Sequence, residues 1–170
     1  DVILHTHETF LSPEAAKAIL EETKFDYVMD CIDSVTPKLT LLKTAYDLKL
    51  RIVSSKRAGG KFDPTQIRTA ELFDTRECYL ASLVRKRIRK MGVGKGIKAV
   101  FSLEKVRDES LILTDGSNFK KSAYGTISYL PAAFGGTCAS VVIRDLLDEP
   151  IPMEKRPKSF LRAERKQSKK

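Results

Sequence analysis

Cysteine is scarce in this 170-residue sequence, which contains only Cys31, Cys78 and Cys138. An odd number of widely separated cysteines does not form the usual disulfide framework of a small secreted domain. The sequence also lacks the closely spaced cysteine pairs that a zinc site normally requires. The cysteines therefore argue against both a disulfide-rich domain and a structural zinc site, and they fit a reducing compartment.

Long apolar stretches are absent as well. No segment approaches the roughly 18 consecutive apolar residues that a membrane-spanning helix needs. The N-terminal region also lacks the basic, apolar and small-residue order of a signal peptide. With 42% hydrophobic residues the chain can still form one domain with a core. We therefore expect a soluble chain with a single folded domain.

The sequence does not begin with methionine. Its first residue is Asp1, and Val2, Ile3 and Leu4 then form an apolar run that is typical of a buried strand. We expect this chain to be part of a longer protein.

Positive charge is concentrated in two segments, although the whole chain has a formal net charge of +9. Residues 155–170 contain eight Lys or Arg and one acid, and residues 85–98 contain seven basic residues and no acid. The rest of the chain has 16 basic and 21 acidic residues. Localised positive charge indicates a polyanionic partner more strongly than diffuse charge would. For residues 155–170, a solvated disordered end is an equally good interpretation.

Helical and strand-like patterns alternate along the chain. Ser12, Pro13 and Glu14 have the order of an N-cap, a first-turn proline and an early acid, which is typical of a helix start. Apolar spacing identifies the other elements. We predict helices over 13–23, 38–48, 78–91 and 131–147, and strands over 25–30, 50–54 and 99–102.

This alternation predicts an α/β fold, because parallel strands need crossover connections that helices usually supply. Ligands bind beyond the carboxyl ends of such strands, where the loops 30–34 and 54–60 would converge. Residues 103–125 show no period, and we predict a mobile loop there. We assign residues 1–148 to the folded domain and 149–170 to a basic, disordered tail.

Two carboxylates three residues apart, Asp30 and Asp33, lie at the end of the first predicted strand. Their position suits a magnesium ion that bridges phosphates. The alternative is that one of them caps the next helix.

One face of the helix predicted over 78–91 is apolar, and the opposite face is basic. The basic face consists of Arg85, Lys86, Arg87, Arg89 and Lys90. Such a face is either merely solvated or makes phosphate contacts, together with Lys95 and Lys98.

Four strings resemble one enzyme family in their order and spacing. They are DCIDSVTPK at 30–38, AGGKFDPTQI at 58–67, VFSLEK at 100–105 and GTISYLPAAFG at 125–135. They resemble the tRNA threonylcarbamoyladenosine dehydratases of the ThiF/MoeB/HesA branch of ubiquitin-activating-like proteins. The likeness covers about residues 1–148, and AGGK-x-DPT is its most specific part.

The resemblance implies a Rossmann-like, mostly parallel sheet with flanking helices, without the N-terminal βα unit that carries the glycine-rich nucleotide loop. It also implies an ATP-dependent enzyme that adenylates the carboxylate of threonylcarbamoyladenosine next to the tRNA anticodon. Cyclisation with release of AMP would follow, with no catalytic cysteine. Because the glycine-rich loop is not in this sequence, we expect the chain by itself to bind ATP weakly.

The resemblance also implies roles for individual residues. Asp33 matches the family aspartate that works with magnesium at the ATP phosphates, and it is our candidate catalytic residue. Ser34 and Lys38 would line the nucleotide site, and Asp30 would orient the loop. Arg85, Lys86, Arg87, Arg89 and Lys90 become candidate tRNA-binding residues. The family implies a homodimer.

Lys56 and Arg57 depart from the family pattern, which has small residues before Ala58. We expect this loop to be reshaped or more basic than usual. Two other functions stay open: adenylation of a ubiquitin-like or sulfur-carrier protein, and a non-catalytic tRNA-binding module. We expect a cytoplasmic location, with the mitochondrial outer membrane as the alternative in a eukaryote.

Overall fold

The computed structural model describes residues 1–113 and 122–157 of the chain. Within them, four α-helices and six β-strands alternate. The helices are α1 (Pro13–Glu22), α2 (Val35–Asp47), α3 (Tyr79–Lys90) and α4 (Tyr129–Leu146). The strands are β1 (Val28–Asp30), β2 (Ile52–Ser55), β3 (Ile67–Glu71), β4 (Ile97–Ser102), β5 (Leu111–Leu113) and β6 (Ser122–Tyr124).

The main sheet has four strands in the order β1-β2-β4-β3. The pairs β1–β2 and β2–β4 are parallel, and β3 runs antiparallel to β4. The pairing of Asp30 with Ser54 brings the carboxyl ends of β1 and β2 together. The predicted α/β fold with a mostly parallel sheet is therefore confirmed.

Apolar residues cover both faces of the sheet. Successive strand residues point to opposite faces, so neighbouring residues of β2 belong to different cores. Ile52 of β2 belongs to the core formed with α1, α2 and α3. Its neighbour Val53 belongs to the core formed with Leu130 and Phe134 of α4. Both faces of β2 are buried, as the continuous apolar run in its sequence indicates.

Capping explains where α1 begins. The Ser12 side chain accepts a hydrogen bond from Ala15 N at 3.1 Å, Pro13 occupies the first turn, and the Ser12 hydroxyl donates to Glu14 at 2.9 Å. These contacts satisfy a helix donor that would otherwise lack a partner.

The prediction of a buried strand at Val2, Ile3 and Leu4 is wrong, since each side chain is more than four-fifths exposed and extends into solvent.

Strand β3 was not predicted. Its sequence, IRTAE, mixes apolar and charged residues without an alternating pattern, and its extended conformation depends on pairing with β4. On its other side, Glu154 N donates to Thr69 O at 2.7 Å, and Arg76 forms an ion pair with Glu154 at 2.6 Å. The first residues of the predicted tail thus lie against β3, whereas 158–170 lie outside the described residues.

The segment predicted as a mobile loop, 103–125, contains the antiparallel pair β5–β6 in its described part. Residues 114–121 lie outside the description. The described residues of this segment also pack on the loop after β2, and this packing helps to build the pocket described below.

Candidate functional site

A buried ion pair between Asp30 and Lys38 fixes the loop between β1 and α2 from the protein interior. Asp30 Oδ1 accepts a hydrogen bond from Ile32 N at 3.0 Å, and Asp30 Oδ2 lies 2.6 Å from Lys38 Nζ. Lys38 Nζ also donates to Ile32 O at 2.8 Å. Both charged side chains are fully buried. Asp30 and Lys38 therefore fix the backbone that presents Asp33 to the surface.

The buried polar network continues into β2. The Ser54 hydroxyl donates to Asp30 Oδ2, and Ser54 Oγ in turn accepts a hydrogen bond from Lys56 Nζ at 2.8 Å. Lys56 is only 4% exposed. Its burial, together with the nearby positive charge of Lys38, lowers the pKa of Lys56 to about 7, and Asp30 opposes that shift. Lys56 thus carries a readily lost proton at neutral pH.

The lowered pKa predicts a pH-dependent stability. An unfolded lysine keeps its proton up to about pH 10.4, so from pH 7 upward the unfolded chain binds more protons than the folded one. The free energy of unfolding should therefore rise with pH in this window, by about 1 kcal/mol between pH 7.5 and 8.5 from this residue. Urea unfolding of the unmodified chain and of Lys56→Met, compared at both values, measures the contribution. An equal rise in both proteins would contradict the assignment.

The loop after β2 is built around Lys61. Its buried Nζ donates to Glu77 O at 3.1 Å, to Ser102 O at 3.2 Å and to Glu104 O. Burial lowers the pKa of Lys61. The Lys61 ammonium satisfies three carbonyls from two separate segments, the one before α3 and the end of β4, so the lysine of the AGGK string holds the loop in place.

Carboxylates fix the next turn. Glu104 accepts hydrogen bonds from Phe62 N at 2.9 Å and from Asp63 N at 2.8 Å. Asp63 accepts from Thr65 N at 2.9 Å and from the Thr65 hydroxyl at 2.6 Å. Hydrogen bonds from Thr65 and Gln66 lower the pKa of Asp63. The Asp-Pro-Thr string is thus a capped turn that leads into β3.

The two loops enclose a pocket of about 390 Å³ beyond the carboxyl ends of β1 and β2. Cys31, Ile32 and Asp33 line it from the first loop, and residues 55–59 line it from the second. Tyr124 and Phe134 add aromatic walls from the β6 and α4 regions. A pocket of this volume at this position fits a small polar ligand with an aromatic ring. No sequence pattern marked Tyr124 or Phe134 as pocket residues.

Of the residues proposed for the nucleotide site, Asp33 lines the pocket. Ser34 is exposed next to it and donates to Asp33 Oδ1 at 3.2 Å. Lys38 supports the loop from the interior and is not among the pocket-lining residues in the described part of the chain. Binding roles for these three residues stay predictions.

The described residues contain no group of three or more His, Cys, Asp or Glu side chains able to hold a metal ion. Asp33 alone among the proposed ligands lies in the pocket. This arrangement fits magnesium bound by one carboxylate together with ligand phosphates and water, because magnesium often keeps several waters in nucleotide sites.

None of the cysteines has the properties of an activated nucleophile. Burial raises the pKa of Cys138 to about 11. Partial burial and the neighbouring Asp30 raise the pKa of Cys31, and Cys78 is buried. Reactive thiolates require a lowered pKa, so the geometry favours chemistry without a cysteine.

The basic face of α3 is smaller than predicted. Arg85 is buried, and its guanidinium donates to Thr75 O and to the Thr75 hydroxyl, both at 2.8 Å. Arg89 stacks over the Phe73 ring at 4.7 Å. The prediction that Arg85 belongs to the exposed basic face of α3 is therefore wrong, because its side chain is buried and bonds to Thr75. The exposed basic residues of the helix are Lys86, Arg87, Arg89 and Lys90.

The fold and the pocket define an open-sheet α/β protein whose candidate ligand site lies at the ends of two parallel strands. No protein-family model matches the chain. It is 31% identical over 146 residues to tRNA threonylcarbamoyladenosine dehydratase 2 of Saccharomyces cerevisiae, covering 76% of this chain and 33% of that protein. It is 32% identical to the tRNA threonylcarbamoyladenosine dehydratase of Haemophilus influenzae, covering 82% of this chain and 57% of the relative.

Solved structures agree with these relatives. The Escherichia coli tRNA N6-threonylcarbamoyladenosine dehydratase in complex with ATP matches with a TM-score of 0.71 and 30% identity, over 84% of this chain and 56% of that one. The same enzyme in complex with AMP matches with a TM-score of 0.69. This chain is therefore a homologue of part of the tRNA threonylcarbamoyladenosine dehydratases, as the four strings predicted. It spans between a third and three-fifths of these relatives' length.

Proposed function

We propose that this chain forms part of an ATP-dependent enzyme that cyclises threonylcarbamoyladenosine in tRNA, next to the anticodon. The observation that carries the proposal is the position of Asp33. It lines a pocket whose two loops contain the DCIDSVTPK string and the start of the AGGKFDPTQI string. One related dehydratase was solved with ATP and with AMP, which supports a nucleotide as a ligand of this pocket.

The proposed chemistry has two steps. An oxygen of the substrate carboxylate bonds to the α-phosphorus of ATP, and pyrophosphate leaves. A nucleophile of the same modified side chain then attacks the activated carbonyl carbon, the bond to AMP breaks, and the nucleoside has lost one water in total. AMP is a good leaving group, so neither step requires a covalent bond to this chain.

The residues in and beneath the pocket have defined parts in this scheme. Asp33 would hold a magnesium ion, which supplies charge neutralisation at the phosphates when bound. The Asp30–Lys38 pair keeps the Asp33 loop rigid, and preorganised groups cost little reorganisation during a reaction. Ser34 orients the Asp33 carboxylate by its hydrogen bond. Tyr124 and Phe134 provide the apolar walls against which a base can pack.

The exposed basic residues of α3 are the proposed tRNA-binding surface. Lys86 and Lys90 lie one helical turn apart and are both exposed. We expect the double variant Lys86→Gln/Lys90→Gln to bind tRNA about tenfold more weakly. The slope of log K against log salt should also become shallower, by roughly one unit for each phosphate that the variant no longer neutralises.

Filter binding at several salt concentrations tests this expectation. The matched control is Lys17→Gln/Lys24→Gln, which removes the same charge from exposed positions within α1 and just after it. Equal affinities and equal salt slopes for both double variants would show that the α3 face is only solvated.

We also propose a homodimer and a cytoplasmic location, with the mitochondrial outer membrane as the alternative in a eukaryote. Exposed apolar side chains near the end of α4, Ile143, Leu146 and Leu147, support an interface on that helix. Light scattering of the purified chain tests the dimer, and a monomer at micromolar concentration would contradict it. No described helix has the length and apolarity needed to cross a membrane.

The test of the activity is direct. The chain, and a form extended by the sequence encoded upstream of it, are each incubated with ATP, magnesium and threonylcarbamoylated tRNA. Mass analysis of the nucleosides then measures the loss of one water. Water loss that depends on ATP supports the proposal, whereas its absence with both forms, despite tRNA binding, would favour the non-catalytic tRNA-binding module. Pyrophosphate exchange that requires a carrier protein ending in Gly-Gly would favour carrier-protein activation.

A further inference from the structure

Lys56 is a pocket residue to which the proposed function assigns no part. It lines the pocket and is only 4% exposed. A lysine is rarely buried to this degree unless its charge is paired, because an isolated buried ammonium is strongly destabilising. The hydrogen bonds and charges around Lys56 therefore indicate its role.

The two other buried lysines among the described residues have more partners. Lys38 contacts the Asp30 carboxylate and the Ile32 carbonyl, and Lys61 contacts three carbonyls. Lys56 Nζ makes one hydrogen bond within the described part of the chain, to Ser54 Oγ at 2.8 Å. An ammonium has three donors, so Lys56 has capacity left for a ligand.

The surroundings of Lys56 carry excess positive charge. The cations that act on it are Lys38 and Arg85, and Asp30 is the carboxylate that opposes them. The Asp30 carboxylate is already paired with Lys38. Arg57, the next residue, also lines the pocket and stacks over the Tyr124 ring at 5.4 Å. An anion in the pocket would compensate this charge, whereas an uncharged ligand would not.

We propose that Lys56 is an oxyanion-binding residue, whose ammonium donates a hydrogen bond to a phosphate or carboxylate oxygen of the bound ligand, with Arg57 as a second cation at the pocket wall. The inference rests on the proposed function for the identity of that ligand. A nucleotide would bring phosphates, and the modified adenosine would bring a carboxylate. Lys56 would then determine which anionic group this pocket accepts.

Calorimetric titration tests the inference with four probes: inorganic pyrophosphate, ATP, adenosine and the free nucleoside threonylcarbamoyladenosine. The variant is Lys56→Met, which keeps the length of the side chain and removes its charge. The control is Lys17→Met, which removes an exposed charge of α1. Circular dichroism verifies folding, and Lys56→Gln replaces the methionine variant if that variant does not fold.

We expect Lys56→Met to bind pyrophosphate about 10- to 100-fold more weakly than the unmodified chain, the range for removal of a charge-assisted hydrogen bond. The affinity of Lys56→Met for ATP, for the free nucleoside or for both should fall by the same factor. Weaker binding of ATP identifies a phosphate as the bound group, and weaker binding of the nucleoside identifies the carboxylate. Adenosine binding and the Lys17→Met control should not change.

The remaining outcomes separate the two proposals. Binding of ATP by Lys56→Met within twofold of the unmodified chain, together with unchanged pyrophosphate and nucleoside binding, would overturn the inference and leave the proposed function standing. Lys56-dependent pyrophosphate binding without any binding of ATP, adenosine or the nucleoside would support the inference and contradict the proposed function. No binding of any probe by the unmodified chain, at probe concentrations high enough to detect the weak ATP affinity expected without the glycine-rich loop, would overturn both.

Discussion

Asp33→Asn should lower the rate of adenylate formation by about 100- to 1,000-fold in a form of the protein that is active, which is the usual cost of losing one preorganised charge-stabilising group. Asparagine keeps the shape of the side chain and the acceptor for the Ser34 hydroxyl. It removes the negative charge that would hold magnesium at the phosphates. The rate of ATP–pyrophosphate exchange, measured with modified tRNA, gives the effect.

The matched control for Asp33→Asn is Asp26→Asn. Asp26 is also an exposed aspartate close to β1, and it lies before the strand instead of after it. It is not among the described residues that line the pocket. If Asp33→Asn catalyses ATP–pyrophosphate exchange at the same rate as Asp26→Asn, the Asp33 carboxylate has no part in adenylation.

Gly60→Ala should reduce the free energy of unfolding by about 2–4 kcal/mol, from backbone strain and overpacking together. Gly60 has φ of +75°, where a side chain is disfavoured. A Cβ at this position would lie 2.6 Å from Ser110 Oγ and 2.7 Å from Val106 Cγ1. Gly60 also donates its N–H to Gly125 O at 2.8 Å and accepts from Arg107 N at 3.2 Å. Urea unfolding followed by circular dichroism measures the change.

Gly92→Ala separates the two contributions to that destabilisation. Gly92 has a similar φ, +81°, but no heavy atom lies within 4 Å of a Cβ added there. We expect it to cost about 1 kcal/mol, from the backbone conformation alone. Equal destabilisation by both variants would mean that the chain around Val106 and Ser110 moves aside without cost, and that the second loop is not tightly packed.

Local patterns were sufficient to predict several elements. α1 begins where Ser12 and Pro13 predicted, because capping involves only neighbouring residues. α2 begins at Val35, three residues before its predicted start, since Pro37 fits within a first turn. β3 could not be predicted, because its residues are extended only through pairing with β4.

The AGGK-x-DPT string shows the difference between recognising a motif and explaining it. The sequence identified it as the most specific part of the resemblance, and its position next to the pocket was expected. The structure gives its physical basis: Gly60 fits a crowded left-handed position, and Lys61 joins three carbonyls. These partners come from residues some 15 to 65 positions away in the sequence, so no local pattern indicates them.

The sequence alone determined the α/β class, the convergence of two loops at one edge of the sheet and the family resemblance, because these depend on short-range periodicity and on strings of adjacent residues. Only the tertiary structure decided the state of the charged residues. It buried Arg85 against Thr75, paired Lys38 with Asp30 and placed Lys56 in the pocket wall. The energy of a charged side chain depends on its solvent exposure and on the charges around it, and both are fixed by residues distant in the sequence.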